Sequence, residues 1–145
     1  MELSCKSEYA LLAMLELADA YKRNEPLQIR QIAALHSIPD RYLEQLLATL
    51  RRCGLIRSQR GAKGGYLLAR EPWQITLLEV MECIEGLETR PTDKSLSTET
   101  IERAVVRESW QEACQAAHSV LQRCSLKDLC DRRDTKRQLD IMYYI

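Results

Sequence analysis

Apolar residues return at intervals of three and four along most of this chain, the period of helices buried on one side. Tyr9, Leu11, Leu12, Leu15 and Ala18 keep that period and predict a first helix from Ser4 to about Tyr21. The polar stretch Lys22-Arg23-Asn24-Glu25-Pro26 breaks it. Leu27 to His36 predicts a second, short helix with Ile29, Ile32, Ala33 and Leu35 inward. After the tight turn His36-Ser37-Ile38-Pro39, Asp40 to Cys53 predicts a third helix, with Leu43, Leu46, Leu47 and Leu50 as its buried stripe. Gly54 stands where a C-cap glycine belongs. Two short helices across a tight turn are the helix-turn-helix pattern.

The period then changes. Leu55 to Gln59 and Tyr66 to Arg70 each suit a short strand, and the glycines between them make a hairpin, the wing. Thr76 with Glu79 forms a capping box and Ile75 with Val80 the matching staple, so a helix runs from Leu77 to near Gly86. Leu87 to Ser97 is polar and contains Pro91, which predicts a linker. From about Thr98 to Arg123 one long helical stripe returns through Trp110, Ala113, Cys114, Ala117, Leu121 and Cys124. A long amphipathic helix beyond a compact head has nothing in its own chain to cover it, which predicts a second copy as its partner. Ser125 to Asp131 reads as a short capped helix, and the apolar tail Leu139 to Ile145 as a segment that docks. The fold class expected is mainly α with a small β-hairpin wing: a winged helix-turn-helix head over residues 1–87, a linker over 88–97, and a dimerisation helix with a docking segment over 98–145.

Charge sharpens this outline. The chain has 145 residues with 21 basic and 21 acidic side chains, yet Arg51, Arg52, Arg57, Arg60, Lys63 and Arg70 fall between Gln45 and Arg70 with no acid among them. The remainder therefore carries the compensating negative charge. No apolar run approaches the about 18 residues of a membrane span, and no secretory signal is visible at the N-terminus, so a cytoplasmic protein with no membrane partner is expected. In such a compartment the six cysteines read as thiols, metal ligands or redox sensors and not as a disulfide framework.

With its leucines inward, the third helix turns Arg41, Glu44, Gln45, Ala48, Thr49 and Arg52 outward. Arg41 is suited to guanine, Gln45 to adenine, and Glu44 to a cytosine amino group. A polar helix face is more often simply solvated; the basic hairpin directly after it favours nucleic acid. Arg60 and Lys63 at the hairpin tip suit phosphate, and Gly64 would let the backbone approach DNA. The turn Arg60-Gly61-Ala62-Lys63-Gly64-Gly65 lacks the ending and spacing of a nucleotide loop. No catalytic constellation is present, so an enzyme is not expected. Cys53 and Cys83 read as small apolar fillers. Cys114, Cys124 and Cys130, with His118 one turn after Cys114, offer thiolate and imidazole ligands to an iron–sulfur cluster or zinc, but Cys114 and Cys124 also lie on the apolar stripe, and no Cys-x-x-Cys pair occurs.

Leu3-Ser4-x-Lys6-Ser7-x-Tyr9-Ala10, Tyr42-Leu43-Glu44-Gln45-Leu46-Leu47, Gly54-Leu55-Ile56 and Arg60-Gly-x-x-Gly-Gly-Tyr-x-Leu closely resemble the Rrf2 family of bacterial winged-helix transcription factors. The resemblance is strong over residues 1–87 and weaker through Trp110 and Ser125-Leu126-x-x-Leu129. It implies a homodimer joined through the long helix on a pseudo-palindromic operator in double-stranded DNA. It also implies that Arg41, Tyr42, Glu44 and Gln45 face the major groove while Arg60 and the wing enter the minor groove. Cluster-bearing members carry three close cysteines before the dimerisation helix, whereas Glu88 to Ser97 holds none. A cluster on Cys114, Cys124 and Cys130, with Glu8 or His118 completing it, would be an unusual variant. The alternatives are a clusterless regulator controlled by a protein partner or thiol oxidation, and a winged-helix adaptor that binds protein.

Overall fold

A computed structural model of the chain describes residues 2–86 and 98–144. The expected linker, 88–97, lies outside the described residues. The elements are α1 (Cys5–Tyr21), α2 (Ile29–His36), α3 (Asp40–Arg52), β1 (Ile56–Gln59), β2 (Gly65–Leu68), α4 (Leu77–Glu85), α5 (Ile101–Arg123) and α6 (Leu126–Tyr143), with a short 3-10 turn at Pro72–Gln74.

Several helix starts have a local cause. The Ser4 hydroxyl accepts from the Ser7 amide to open α1. Thr76 and Glu79 form the anticipated capping box at α4, with Ile75 and Val80 both fully buried behind it. Gly86 closes α4 in the left-handed region at φ 61°. Ser125 and Asp128 build another capping box at α6.

The core is one cluster. Ala10, Met14 and Leu17 of α1 meet Ile32 of α2, the four leucines of α3, Leu68 of β2 and Val80 and Ile84 of α4. Leu126 and Cys130 of α6 belong to the same cluster, with Leu126 fully buried. The chain thus returns to the head after α5. Backbone bonds close that return: the Leu77 amide donates to the Cys124 carbonyl at 2.8 Å and the Leu126 amide to the Ile75 carbonyl at 2.9 Å. Arg133 of α6 reaches Asp19 of α1 at 2.9 Å.

Some expectations fail here. Leu35 is exposed, because only Ile32 and Ala33 of the short α2 are buried against the core. The short helix expected over Ser125 to Asp131 continues to Tyr143. No proline or glycine interrupts that stretch, and Asp131, Arg132, Lys136 and Arg137 favour water. The tail therefore projects instead of docking: Tyr143 is 89% and Tyr144 92% exposed.

Candidate nucleic-acid interface

The helix-turn-helix is set by α2, a turn and α3. Ser37 takes a left-handed conformation at φ 53° and its amide donates to the Ala33 carbonyl, ending α2 sharply. His36 holds Glu16 of α1 through a 2.9 Å contact and so anchors the turn to the first helix. With Leu43, Leu46, Leu47 and Leu50 buried, α3 presents Arg41, Glu44, Gln45, Ala48 and Arg52 to solvent, as the apolar stripe requires. Thr49 is half-buried; its hydroxyl donates to the Gln45 carbonyl at 3.0 Å and accepts from Arg52 at 3.1 Å. Tyr42 is also half-buried, packed edge-on against Tyr9 with ring centroids 5.7 Å apart. Thr49 and Tyr42 are thus tied within the fold, and among the described residues Arg41, Glu44 and Gln45 make no side-chain hydrogen bond.

The wing pairs Ile56 with Leu68 and Gln59 with Gly65, antiparallel. It is not a free hairpin. The Leu27 amide donates to the Tyr66 carbonyl at 3.0 Å and the Tyr66 amide to the Leu27 carbonyl at 2.8 Å, so the segment before α2 pairs with the outer edge of β2. Arg51 joins the last turn of α3 to β1 through the Ser58 hydroxyl at 3.3 Å. Arg60 and Lys63 stand exposed at the tip. Gly64 does something other than expected: it is buried, its amide donates to the Gly61 carbonyl at 2.9 Å, and a Cβ there would strike the Gln59 carbonyl. Its missing side chain serves the turn, and its N–H is already used.

The cysteines divide differently from the sequence reading. Cys53 and Cys83 are bonded as a disulfide with Cα atoms 6.2 Å apart, within the usual span. Cys53, at the C-cap of α3, is exposed and not a filler; Cys83 is half-buried on α4. Thirty positions separate them in the chain, and only the packing of α4 on α3 brings them together. Cys114 is exposed, whereas Cys124 and Cys130 are buried and burial pushes both thiols upward from their ordinary range. Among the described residues no three His, Cys, Asp or Glu side chains gather to hold an ion. Cys114 and Cys124 lie ten positions apart along α5 and its cap, about 15 Å at helical rise. His118 faces Glu82 at 3.7 Å, and Glu8 is exposed on α1. Within one chain these five residues do not fit a shared cluster.

The family model described as Rrf2, iron-dependent transcriptional regulator, matches residues 3–132. The chain belongs to the Rrf2 family. It is 36% identical to the HTH-type transcriptional regulator CymR of Bacillus subtilis over 145 residues, all of both chains. The solved structure of that global cysteine regulator aligns at a TM-score of 0.78 with 34% identity, over 91% of this chain and 98% of the other. The T. potens IscR structure aligns at 0.77 with 31% identity, over 92% and 88%. The Rrf2 resemblance drawn from the motifs and the winged-helix fold class both hold. The relatives are transcriptional regulators and not enzymes.

Among the described residues no helix is long and apolar enough to cross a membrane. Within α5 no residue is buried. It packs on α4, where Ala117 and Leu121 are half-buried, but Trp110 and Val106 on the same stripe are 62% and 70% exposed. The nine residues of α4 against twenty-three of α5 explain this: at helical rise α4 spans about 13 Å and α5 about 35 Å. Among the described residues, the expected stripe is covered by its own chain in its C-terminal part alone.

Proposed function

We propose that this Rrf2 protein is a sequence-specific, double-stranded DNA-binding transcriptional regulator that acts as a homodimer on a pseudo-palindromic operator. The observation that carries the reading is the exposed face of α3, Arg41, Glu44 and Gln45, beside a hairpin whose tip carries Arg60 and Lys63. Arg41 and Gln45 read base edges in the major groove, and Glu44 selects by accepting from cytosine or excluding other bases. Arg52, Arg60 and Lys63 hold phosphate and fix the register of the helix. Thr49 and Tyr42 orient the reading face. The head is the winged helix-turn-helix with the start of α6 packed back into its core, the dimerisation arm is α5, and the pairing surface is the uncovered stripe of α5. A clusterless regulator is favoured over a cluster-bearing one, because the thiols are dispersed and two of them are buried.

Selection of bound duplexes from a random library tests the reading. An enriched inverted repeat, bound by a dimer with steep salt dependence, is expected. Enrichment of no sequence would leave the protein-binding adaptor as the better account.

A further inference from the structure

We infer that Cys53 and Cys83 form a reversible dithiol–disulfide modification site that, when closed, pins the last turn of the recognition helix α3 to α4. In its final step the inference rests on the DNA-binding reading above. The site is built from two independent features. First, the Cα atoms stand at 6.2 Å, so bonding needs no rearrangement of the backbone. Second, the two partners differ in access: Cys53 is exposed at the α3 C-cap and Cys83 half-buried beneath it. The Cys83 sulfur also lies 3.5 Å from the Thr49 carbonyl oxygen, so the open form leaves its thiol an acceptor. That division suits an attacking and a resolving cysteine.

The oxidant class is a hydroperoxide. The Cys53 thiolate attacks one peroxide oxygen, the O–O bond breaks, and the other oxygen leaves as an alcohol or water after taking a proton. The Cys83 thiolate then attacks the sulfur of the resulting sulfenic acid, and the S–O bond breaks to release the second oxygen as water. The two thiols give up two electrons and the peroxide accepts them. A small dithiol reverses the bond by exchange.

Closure ties together parts with different tasks. Cys53 directly follows Arg51 and Arg52, and Thr49 orients Arg52. Cys83 sits on the helix against which α5 packs, with Glu82 facing His118. The bond therefore links the reading helix to the base of the arm. In the open form the last turn of α3 is held there only by packing and weak polar contacts. In the closed form it is ordered before DNA arrives, and the operator complex loses less conformational freedom on forming.

The test uses full-length protein, reduced with dithiothreitol, desalted and treated with hydrogen peroxide. Tryptic mapping should find the peptide 53–57 cross-linked to the peptide that begins at Glu71, and dithiothreitol should release it. Amides at the end of α3 should exchange more slowly in the oxidised form. Cys53→Ser and Cys83→Ser should each abolish both effects. Operator affinity should be about fivefold or more tighter after oxidation in the unmodified protein, with no such change in either variant. Accumulation of only intermolecular disulfides or a lasting Cys53 sulfenic acid would overturn the site. A closed bond with unchanged exchange and unchanged or weaker operator affinity would overturn its ordering role. If no duplex is bound in either state, the DNA reading fails, and cross-link mapping and amide exchange still decide this inference.

Discussion

Arg60 is exposed at the hairpin tip, and no acidic partner lies within ion-pair distance of it among the described residues. Its charge is uncompensated until a polyanion arrives. Arg60→Ala should weaken operator binding and make the salt dependence shallower by about one phosphate contact per subunit; titrations over a salt series measure it, and an unchanged slope would place the wing away from DNA. Gln45 differs in kind, because its amide can both donate to and accept from one base. Gln45→Ala should cost about 1–3 kcal/mol at one operator position and relax the preference there. A uniform loss across all operator variants would make it a positioning residue. Gln45 was legible in the sequence because the α3 stripe fixes which face is outward, and Arg60 because a glycine-rich turn between two short strands puts it at a tip. The role of Gly64 was not, since a glycine is silent about whether its space is needed by a ligand or by its own turn.

At the scale of the element, α5 and α6 show where pattern reading succeeds and where it stops. The stripe of α5 was visible from spacing, but how much of it α4 covers depends on two helix lengths and their packing. Val106→Glu should place a charge in the apolar seam and yield monomers in sedimentation, with operator binding lost; a fully dimeric variant would move the interface elsewhere. The end of α6 was misjudged because apolar residues near a terminus can dock on the same chain or wait for another. Beyond buried Leu126 and Cys130, Arg133 on Asp19 ties α6 to the head. Burial alone would raise the Asp19 carboxyl, but the Arg133 hydrogen bond and charge, with help from Arg23 and Lys22, hold it below its ordinary 3.8. A depressed carboxyl stabilises the fold above its unfolded value and loses that contribution as pH falls through the folded one. Asp19→Asn should therefore cost about 1 kcal/mol at neutral pH, and the gap from the unmodified protein should close in acid. Urea unfolding at both pH values would show it; a gap of equal size in acid would assign the loss to packing.

For the whole molecule, a neutral chain has gathered six positive charges into one contiguous segment of the head. On the proposed dimer, two such heads would meet DNA with a fixed separation. Inserting about five base pairs between the half-sites turns one of them to the far side of the duplex and should reduce affinity to that of a single half-site, which band-shift titration reads directly. Retained affinity would mean heads that bind independently. The Cys53–Cys83 bond was the feature least legible in the chain. Its partners are thirty positions apart and meet only because α4 crosses the end of α3. Cysteine spacing carried no sign of it, and spacing also overstated the case for Cys114, Cys124 and Cys130, whose nearness in sequence is stretched out along a helix.

The return of the chain to its starting point, with Leu77 bonded to Cys124 and Leu126 to Ile75, decides how the protein can be cut. A fragment ending at residue 86 would leave the slot of fully buried Leu126 empty, a loss on the order of 2–5 kcal/mol by analogy with truncated core leucines. The α5 excursion is thus clasped at its base by the body, since α4 itself contributes Val80 and Ile84 to the core. Cleavage within the excursion should nick the chain without releasing either piece, and the two fragments should copurify until denatured.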